Sequence, residues 1–259
     1  KQQNFFLKIF FCLISLIKLN PIQFGIFFSQ QFKEYIQDNA YKYDILFFYH
    51  IRSSQFFPKN FYGKTILEMG DLYSKNYKLT YKNLSLLNPF FYFYFLESFL
   101  VKRLEKKIIK IFDKIILFSK NEVDKIKSQK NKVLHIPESV EKVKTIYKYS
   151  KKNYKILFVG NLNYLPNRLA CLNFAKKVLP KILKIYPNIE FHIVGDIKKL
   201  DKIHLNLYSN VKVFGQKKIL NNHIKGSICG LANLEIASGV QGKVLTYMSF
   251  GLPALCSKN

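Results

Sequence analysis

Lys243 lies in a setting that suits a phosphate. It falls in the first turn of a short predicted helix, behind a turn that carries Gly239 and Gly242, within the stretch Leu234–Ser257. The positive end of a helix dipole, the backbone N–H groups at Gly239, Val240 and Gln241, and an ammonium group then converge on one point. Glycine suits such a turn because the backbone must come close to a ligand or take positive φ. Gly251-Leu252-Pro253 stops the helix, and the apolar run Ala254-Leu255-Cys256 follows. Val240, Val244 and Met248 recur every four residues and predict the face that lies on a sheet. The same residues also suit an ordinary strand–turn–helix–strand unit with a solvated lysine.

A cradle of this kind needs a sheet beneath it. Tyr154–Gly160 reads as a buried strand ending in glycine. Pro166-Asn167 opens a helix that runs to about Tyr186, with Ala170, Phe174 and Val178 on one face. Ile189–Gly195 and Val211–Gly215 read as further strands, followed by a short helix at Lys218–His223 and an apolar run at Ser227–Leu231. Such alternation predicts a parallel sheet with crossover helices on both faces. Ligands in these folds sit at the carboxyl ends of the strands, so the turns after Gly160, Gly195 and Gly215 point the same way as the Gly239 turn. No G-x-G-x-x-G and no G-x-x-x-x-G-K-[ST] occurs, which argues against a nicotinamide dehydrogenase and a P-loop enzyme.

The first half reads similarly, with strands at Tyr43–Tyr49, Thr65–Met69, Lys114–Ser119 and Lys132–Ile136 and a helical stretch from about Pro89 to Phe112. The expected organisation is α/β, with two Rossmann-like parallel-sheet domains at 1–142 and 154–259 and a basic linker at 143–153. Lys1 precedes the apolar segment Phe5–Leu19, and Lys258-Asn259 stands just past a strand, so both domains are expected to be incomplete and the chain to be an internal fragment. Lys8 and Lys18 interrupt the apolar segment, which is short of the ~20 residues needed to span a bilayer.

Composition bounds the rest. The 259 residues are enough for two domains, and 49% of them are hydrophobic. The net charge of +26, from 42 Lys+Arg against 16 Asp+Glu, attracts nucleic acid, anionic lipid or phosphorylated substrates. Lysines spread along the whole chain and tryptophan is absent, the pattern of A/T-rich coding sequence. Charge alone supports a nucleic-acid partner; no nucleic-acid motif does, and none is expected. The 4 cysteines and 5 histidines show no metal-ligand spacing. Cys12, Cys171, Cys229 and Cys256 read as reduced residues of a cytosolic protein, and no metal site is expected.

The segment Gly239-Val240-Gln241-Gly242-Lys243-Val244-Leu245-Thr246-Tyr247-Met248, with Gly251-Leu252-Pro253 beyond it, resembles the donor-binding segment of group 1 glycosyltransferases. That is the large retaining GT-B family (family 4-like), and the exopolysaccharide-type sugar transferase branch is nearest. Phe158-Val159-Gly160-Asn161 through Tyr164, Pro166 and Asn167 resembles a second turn of the same branch. Fainter likenesses run through Asn20-Pro21-Ile22-Gln23, through Leu67, Asp71 and Ser74, through Ser119 and Glu122, and through Ile136-Pro137-Glu138. Four positions depart from the pattern. Thr246 stands where members usually carry a glutamate for the nucleotide ribose, Asn161 and Asn167 stand where others place Arg and Lys, and Ser238 replaces a second acidic residue. No Asp-x-Asp is present, which fits the class that works without a metal.

The resemblance implies sugar transfer from a nucleotide-diphosphate donor to a glycan or lipid-linked acceptor in cell-surface polysaccharide synthesis, with retention and no cofactor beyond the donor. It implies that Lys243, His50 and Arg52 act in catalysis. The donor would be held by Gly160, Asn161, Asn167, Gly239, Val240, Gln241, Lys243 and Thr246. Arg168 is the next cation along from the Gly160 turn. The departures equally suit a glycosyltransferase-like binding or scaffold protein of weak activity. The aromatic stretch Pro89–Phe99, followed by a basic run from Lys102, suits the headgroup zone of an anionic leaflet, which would place a cytoplasmic protein peripherally on the inner face of the membrane. It also suits a helix buried against a sheet.

Overall fold

The computed structural model describes residues 5–126, 131–141, 143, 147–235 and 239–257. The chain splits into two compact units, residues 1–138 with 238–240 and residues 139–237 with 241–259. Ser238 and linker residues 142 and 144–146 lie outside the described residues.

The first unit holds a parallel sheet of four strands in the order β1 (Ile45–Tyr49), β2 (Lys64–Gly70), β3 (Lys114–Leu117) and β4 (Val133–His135). Its helices are α1 (Phe5–Ile17), α2 (Ile22–Ile26), α3 (Gln30–Asn39), α4 (Tyr73–Lys82), α5 (Pro89–Ile111) and α6 (Lys120–Val123). Helix α5 starts where expected because Asn88 Oδ1 accepts the Phe90 N–H at 3.0 Å and Pro89 takes the first helical position. Its apolar face, Val101, Leu104, Ile108 and Phe112, packs in one core with Leu67, Met69, Ile115 and Leu117 of the strands. Asp113 ties the strand starts by accepting from Thr65 N and Oγ1, each at 2.9 Å.

Helix α4 carries no side-chain cap of its own. Two buried glutamates from elsewhere supply one. Glu122 accepts the Leu72 N–H at 2.8 Å, and Glu105 accepts Ser74 N at 2.9 Å and Ser74 Oγ at 2.5 Å. Carboxylates at a helix N-terminus satisfy its orphan donors and suit its dipole. The apolar segment near the start is the 13-residue helix α1, and among the described residues no helix is long and apolar enough to cross a membrane. The aromatic half of α5 divides. Tyr94 tilts against Tyr77 of α4 and Phe91 and Phe95 meet Tyr81 edge-on, while Phe90, Tyr92 and Phe99, with much of Phe95, are exposed.

The second unit has a parallel sheet of five strands in the order β7 (Val211–Gly215), β6 (Glu190–Val194), β5 (Lys155–Val159), β8 (Ser227–Ala232), β9 (Ala254–Cys256). Core clusters built on Phe158, Phe174 and Phe191, and on Leu157, Tyr247 and Leu252, pack it. The helix expected from Pro166 to Tyr186 is broken into α7 (Leu165–Asn173), a π-helical turn (Phe174–Val178) and α8 (Leu179–Leu183). Pro180 causes the break, since it has no N–H to donate to the preceding turn. The wide turn rotates the buried face, so Ala175 and Leu179 are buried while Val178 is exposed, against the face read from spacing. The remaining helices are α9 (Lys199–Asn206), α10 (Asn221–Ile224) and α11 (Gly242–Ser249). Within the stretch read as a linker, Tyr147 N donates to Phe250 O at 2.7 Å, and Asn153 Nδ2 donates to Tyr147 Oη at 2.7 Å.

Candidate functional site

The order β7-β6-β5-β8-β9 puts a topological switch between β5 and β8, and crevices open beyond the strand ends at such points. One side chain anchors α11 there. Tyr247 is fully buried; its hydroxyl accepts the Val159 N–H at 2.8 Å and donates to Leu231 O at 3.2 Å. Burial raises its phenol well above the usual range, so the proton stays on. Gly230 on β8 makes the room, because a Cβ there would fall 2.3 Å from the ring. This corrects the face read from Val240, Val244 and Met248. Met248 is 64% exposed, and the Tyr247 side of the helix meets the sheet.

Lys243 stands one turn before Tyr247. Its ammonium lies 5.4 Å from the Phe158 ring centre, and burial pulls it down to about 8, the Cys171 thiol opposing that pull. Burial pushes the Cys171 thiol well up, so it stays neutral. Among the described residues no carboxylate pairs with Lys243. A buried cation without a carboxylate is costly, and an anionic ligand would remove that cost. Gly239 has φ +70°, and the helix N-cap, Gln241, provides no side-chain cap. Val240, between the two, donates its N–H to the Asp71 carboxyl and is committed there.

The other residues singled out from sequence sit in more committed settings. Thr246 Oγ1 donates to Gly242 O at 3.0 Å, so toward a ligand it offers lone pairs. After Gly160, Asn161 Oδ1 accepts the Asn163 N–H at 2.8 Å, and Asn167 Nδ2 donates to Asn161 O at 2.8 Å. Buried Asn167 keeps one polar atom without a partner, Oδ1, which is an acceptor rather than a donor. Arg168 is paired to Asp201 at 3.1 Å and is not free for a phosphate.

His50 and Arg52 belong to the first unit, just past the carboxyl end of β1. His50 takes φ +68°, its Nδ1 accepts the Arg52 N–H at 3.2 Å, and its ring lies 4.6 Å from that of Tyr73. Burial, with Arg52 adding to it, pulls the imidazole down to about 4, so at pH 7 it is neutral with its proton on Nε2. Arg52 Nε donates to Gln23 Oε1 at 2.7 Å, and its guanidinium lies 4.2 Å from the Phe27 ring centre. Gln23 Nε2 donates to Glu97 Oε2 at 3.3 Å. Burial pushes the Glu97 carboxyl up to about 7, against hydrogen bonds from Ile22 and Gln23. Asp71 is likewise pushed up to about 6 by burial, with Glu122 adding to the shift, and its Oδ1 has no partner among the described residues. Tyr247, Gly230 and the Glu105–Ser74 pair escaped the sequence reading, because nothing in residue spacing couples them.

Two Rossmann-like parallel sheets, the second with its switch point under a cationic helix start, define the GT-B class of fold. Residues 153–259 match the family described as glycosyl transferases group 1. The chain is 36% identical over 110 residues to an uncharacterised 44.6 kDa protein in a cps region of Klebsiella pneumoniae, covering 41% of this chain and 27% of that protein. Its fold is similar to that of S. aureus TarM, with TM-score 0.61 and 13% identity over 86% of this chain and 43% of TarM. It is also similar to Anabaena HepE in complex with UDP and glucose, with TM-score 0.57 and 13% identity over 88% of this chain and 62% of HepE. The chain thus spans about a quarter of the curated relative and roughly half of the solved ones.

Proposed function

We propose that this chain is part of a glycosyltransferase that moves a sugar from a nucleotide-diphosphate donor to a glycan or lipid-linked acceptor. The observation that carries the reading is Lys243, a buried ammonium without a carboxylate partner among the described residues, at the start of α11 over the switch point. It neutralises charge that builds on the diphosphate as the bond from the sugar's anomeric carbon to the phosphate oxygen breaks. The N–H groups of Gly239 and Gln241 share that charge, the Val240 N–H being taken by the Asp71 carboxyl, and Thr246 accepts from a ribose hydroxyl. The turn from Gly160 to Asn167 holds the strand end against the donor, with Asn161 at its exposed edge. His50, as a neutral Nε2–H donor, and Arg52 serve the first unit's side of the reaction. Transfer proceeds with retention and without a metal, as in the family that the motifs resemble.

The cps-region relative supports a role in polysaccharide synthesis, and the complexes of HepE with UDP and glucose and of TarM with UDP support UDP as the nucleotide to try first. The exposed aromatics of α5, beside Lys102, Arg103, Lys106 and Lys107, suit peripheral contact with an anionic membrane. A second reading, a binding protein of weak activity, is favoured by Thr246 and by the commitment of Arg168 to Asp201.

Calorimetry with UDP and GDP on the full-length protein tests the site. Binding of one nucleotide that is lost in Lys243→Ala is the expected result. Absence of binding to either rejects the transferase reading, and binding that survives the substitution rejects the site. Incorporation of labelled sugar into a glycan or lipid fraction then separates the enzyme from the weak binder.

A further inference from the structure

A cavity of about 450 Å³ lies wholly within the first unit, walled by α1, α3, the turn after β1 and the end of α5. That volume falls in the range of small-molecule sites. Its floor is apolar: Phe24, Ile108 and Phe112 are all buried there, and Phe11 and Phe57 form walls. Its mouth is cationic. Lys18, Lys33 and Lys107 line it, all three exposed, and the lining contains no carboxylate. None of the three forms an ion pair among the described residues. The nearby polar side chains are engaged locally, Gln30 with Glu34 at 2.7 Å and Gln55 with Arg52 O at 3.1 Å.

An apolar slot lined by three lysines, none of them paired to a carboxylate among the described residues, is complementary to one kind of molecule. We propose that the first unit binds a single-chain amphipathic phosphate, its alkyl chain in the slot and its head among Lys18, Lys33 and Lys107. Three cations suit a phosphate monoester, which carries −1.5 to −2 charges at pH 7, better than they suit a carboxylate. The lysine stems lie along the apolar rim while their ammonium groups stay in water. This site shares no residue with the Lys243 site and does not rest on the transferase reading.

Calorimetry of the full-length protein with octyl, decyl and dodecyl phosphate, below their micelle concentrations, tests it. Affinity is expected to rise on the order of tenfold for each two carbons until the slot is full. The double variant Lys33→Gln/Lys107→Gln is expected to weaken dodecyl phosphate at least fivefold and to leave the UDP titration and the melting temperature unchanged. Ile108→Trp, which fills the slot, is expected to abolish binding; should it fail to fold, the chain-length series and the lysine variant decide alone. Affinity independent of chain length overturns the proposal. So does inorganic phosphate binding as tightly as dodecyl phosphate, dodecyl maltoside binding as tightly as the phosphate, or an unaltered affinity in the lysine variant.

Discussion

Arg52 in the first unit and Lys243 in the second are both cations in partly buried settings beyond a strand end, yet they are held in opposite ways. Arg52 has a neutral acceptor: Gln23 accepts from its Nε, the Phe27 ring lies beside it, and Gln23 passes the contact on to Glu97. Lys243 has an aromatic ring and a neutral thiol for neighbours and no carboxylate among the described residues. A cation that already has a hydrogen-bond acceptor gains less from a ligand than one that has none. The number of partners, rather than charge or burial, separates these two cations.

The largest expected effect tests that distinction directly. Lys243→Met should weaken UDP roughly thirtyfold or more, since it strips one side of a desolvated charge pair. The same change should raise stability at pH 7 by about 1–3 kcal/mol, because it removes an uncompensated buried ammonium. A melting temperature that falls with the loss of binding would assign Lys243 to the scaffold. Next comes the seat of α11. Gly230→Ala puts a methyl group into the Tyr247 ring and should cost about 1–3 kcal/mol in a denaturant titration. Arg52→Lys keeps the charge but loses the planar fork toward Gln23, and should cost about 1 kcal/mol with UDP affinity unaltered. An Arg52→Lys variant that loses UDP would erase the contrast.

The smallest effects have opposite signs in the two units. Burial pushes Glu97 and Glu105 up to about 7, so the folded first unit holds protons that the unfolded chain releases above its ordinary carboxyl range. Its stability should fall as pH rises from about 4.5 toward 7, because these two and Asp71 together outweigh the opposite pull of the single imidazole His50. Lys243, pulled down to about 8, leaves the unfolded second unit holding the extra proton, so that unit should gain stability from pH 8 to 10. Each slope should be on the order of 1 kcal/mol per pH unit or less, read from denaturant midpoints of a dye placed in either unit. Two slopes of one sign would contradict the contrast. UDP affinity should also decline above about pH 8, as the free ammonium loses its proton.

The strands were largely legible because parallel strands are continuous apolar runs: buried Lys155–Val159 and Glu190–Val194 fall within the runs read for them, and so does Ile45–Tyr49, an edge strand with exposed side chains. Helix α5 was legible through Asn88, Pro89 and its length. Helix α4 was not, because its polar sequence lacks a cap and its start is secured by Glu105 and Glu122, 31 and 50 residues away from their partners. Lys243 and Gly239 stood out by type and spacing. The face of α11 was misread because four-residue periodicity weighs Met248 as apolar and cannot know that a glycine on another strand admits Tyr247. Asn161, Asn167 and Arg168 could be named, but not their commitments, since Asp201 lies 33 residues beyond Arg168.

Tyr247 has one more consequence. Its hydroxyl is bound to two strands at once, so it acts as a gauge that converts the position of the sheet into the position of the ammonium one turn away. A slip of α11 by one residue, about 1.5 Å along its axis, would break both bonds. The phenol, more than the turn ahead of the helix, therefore sets where the cation stands.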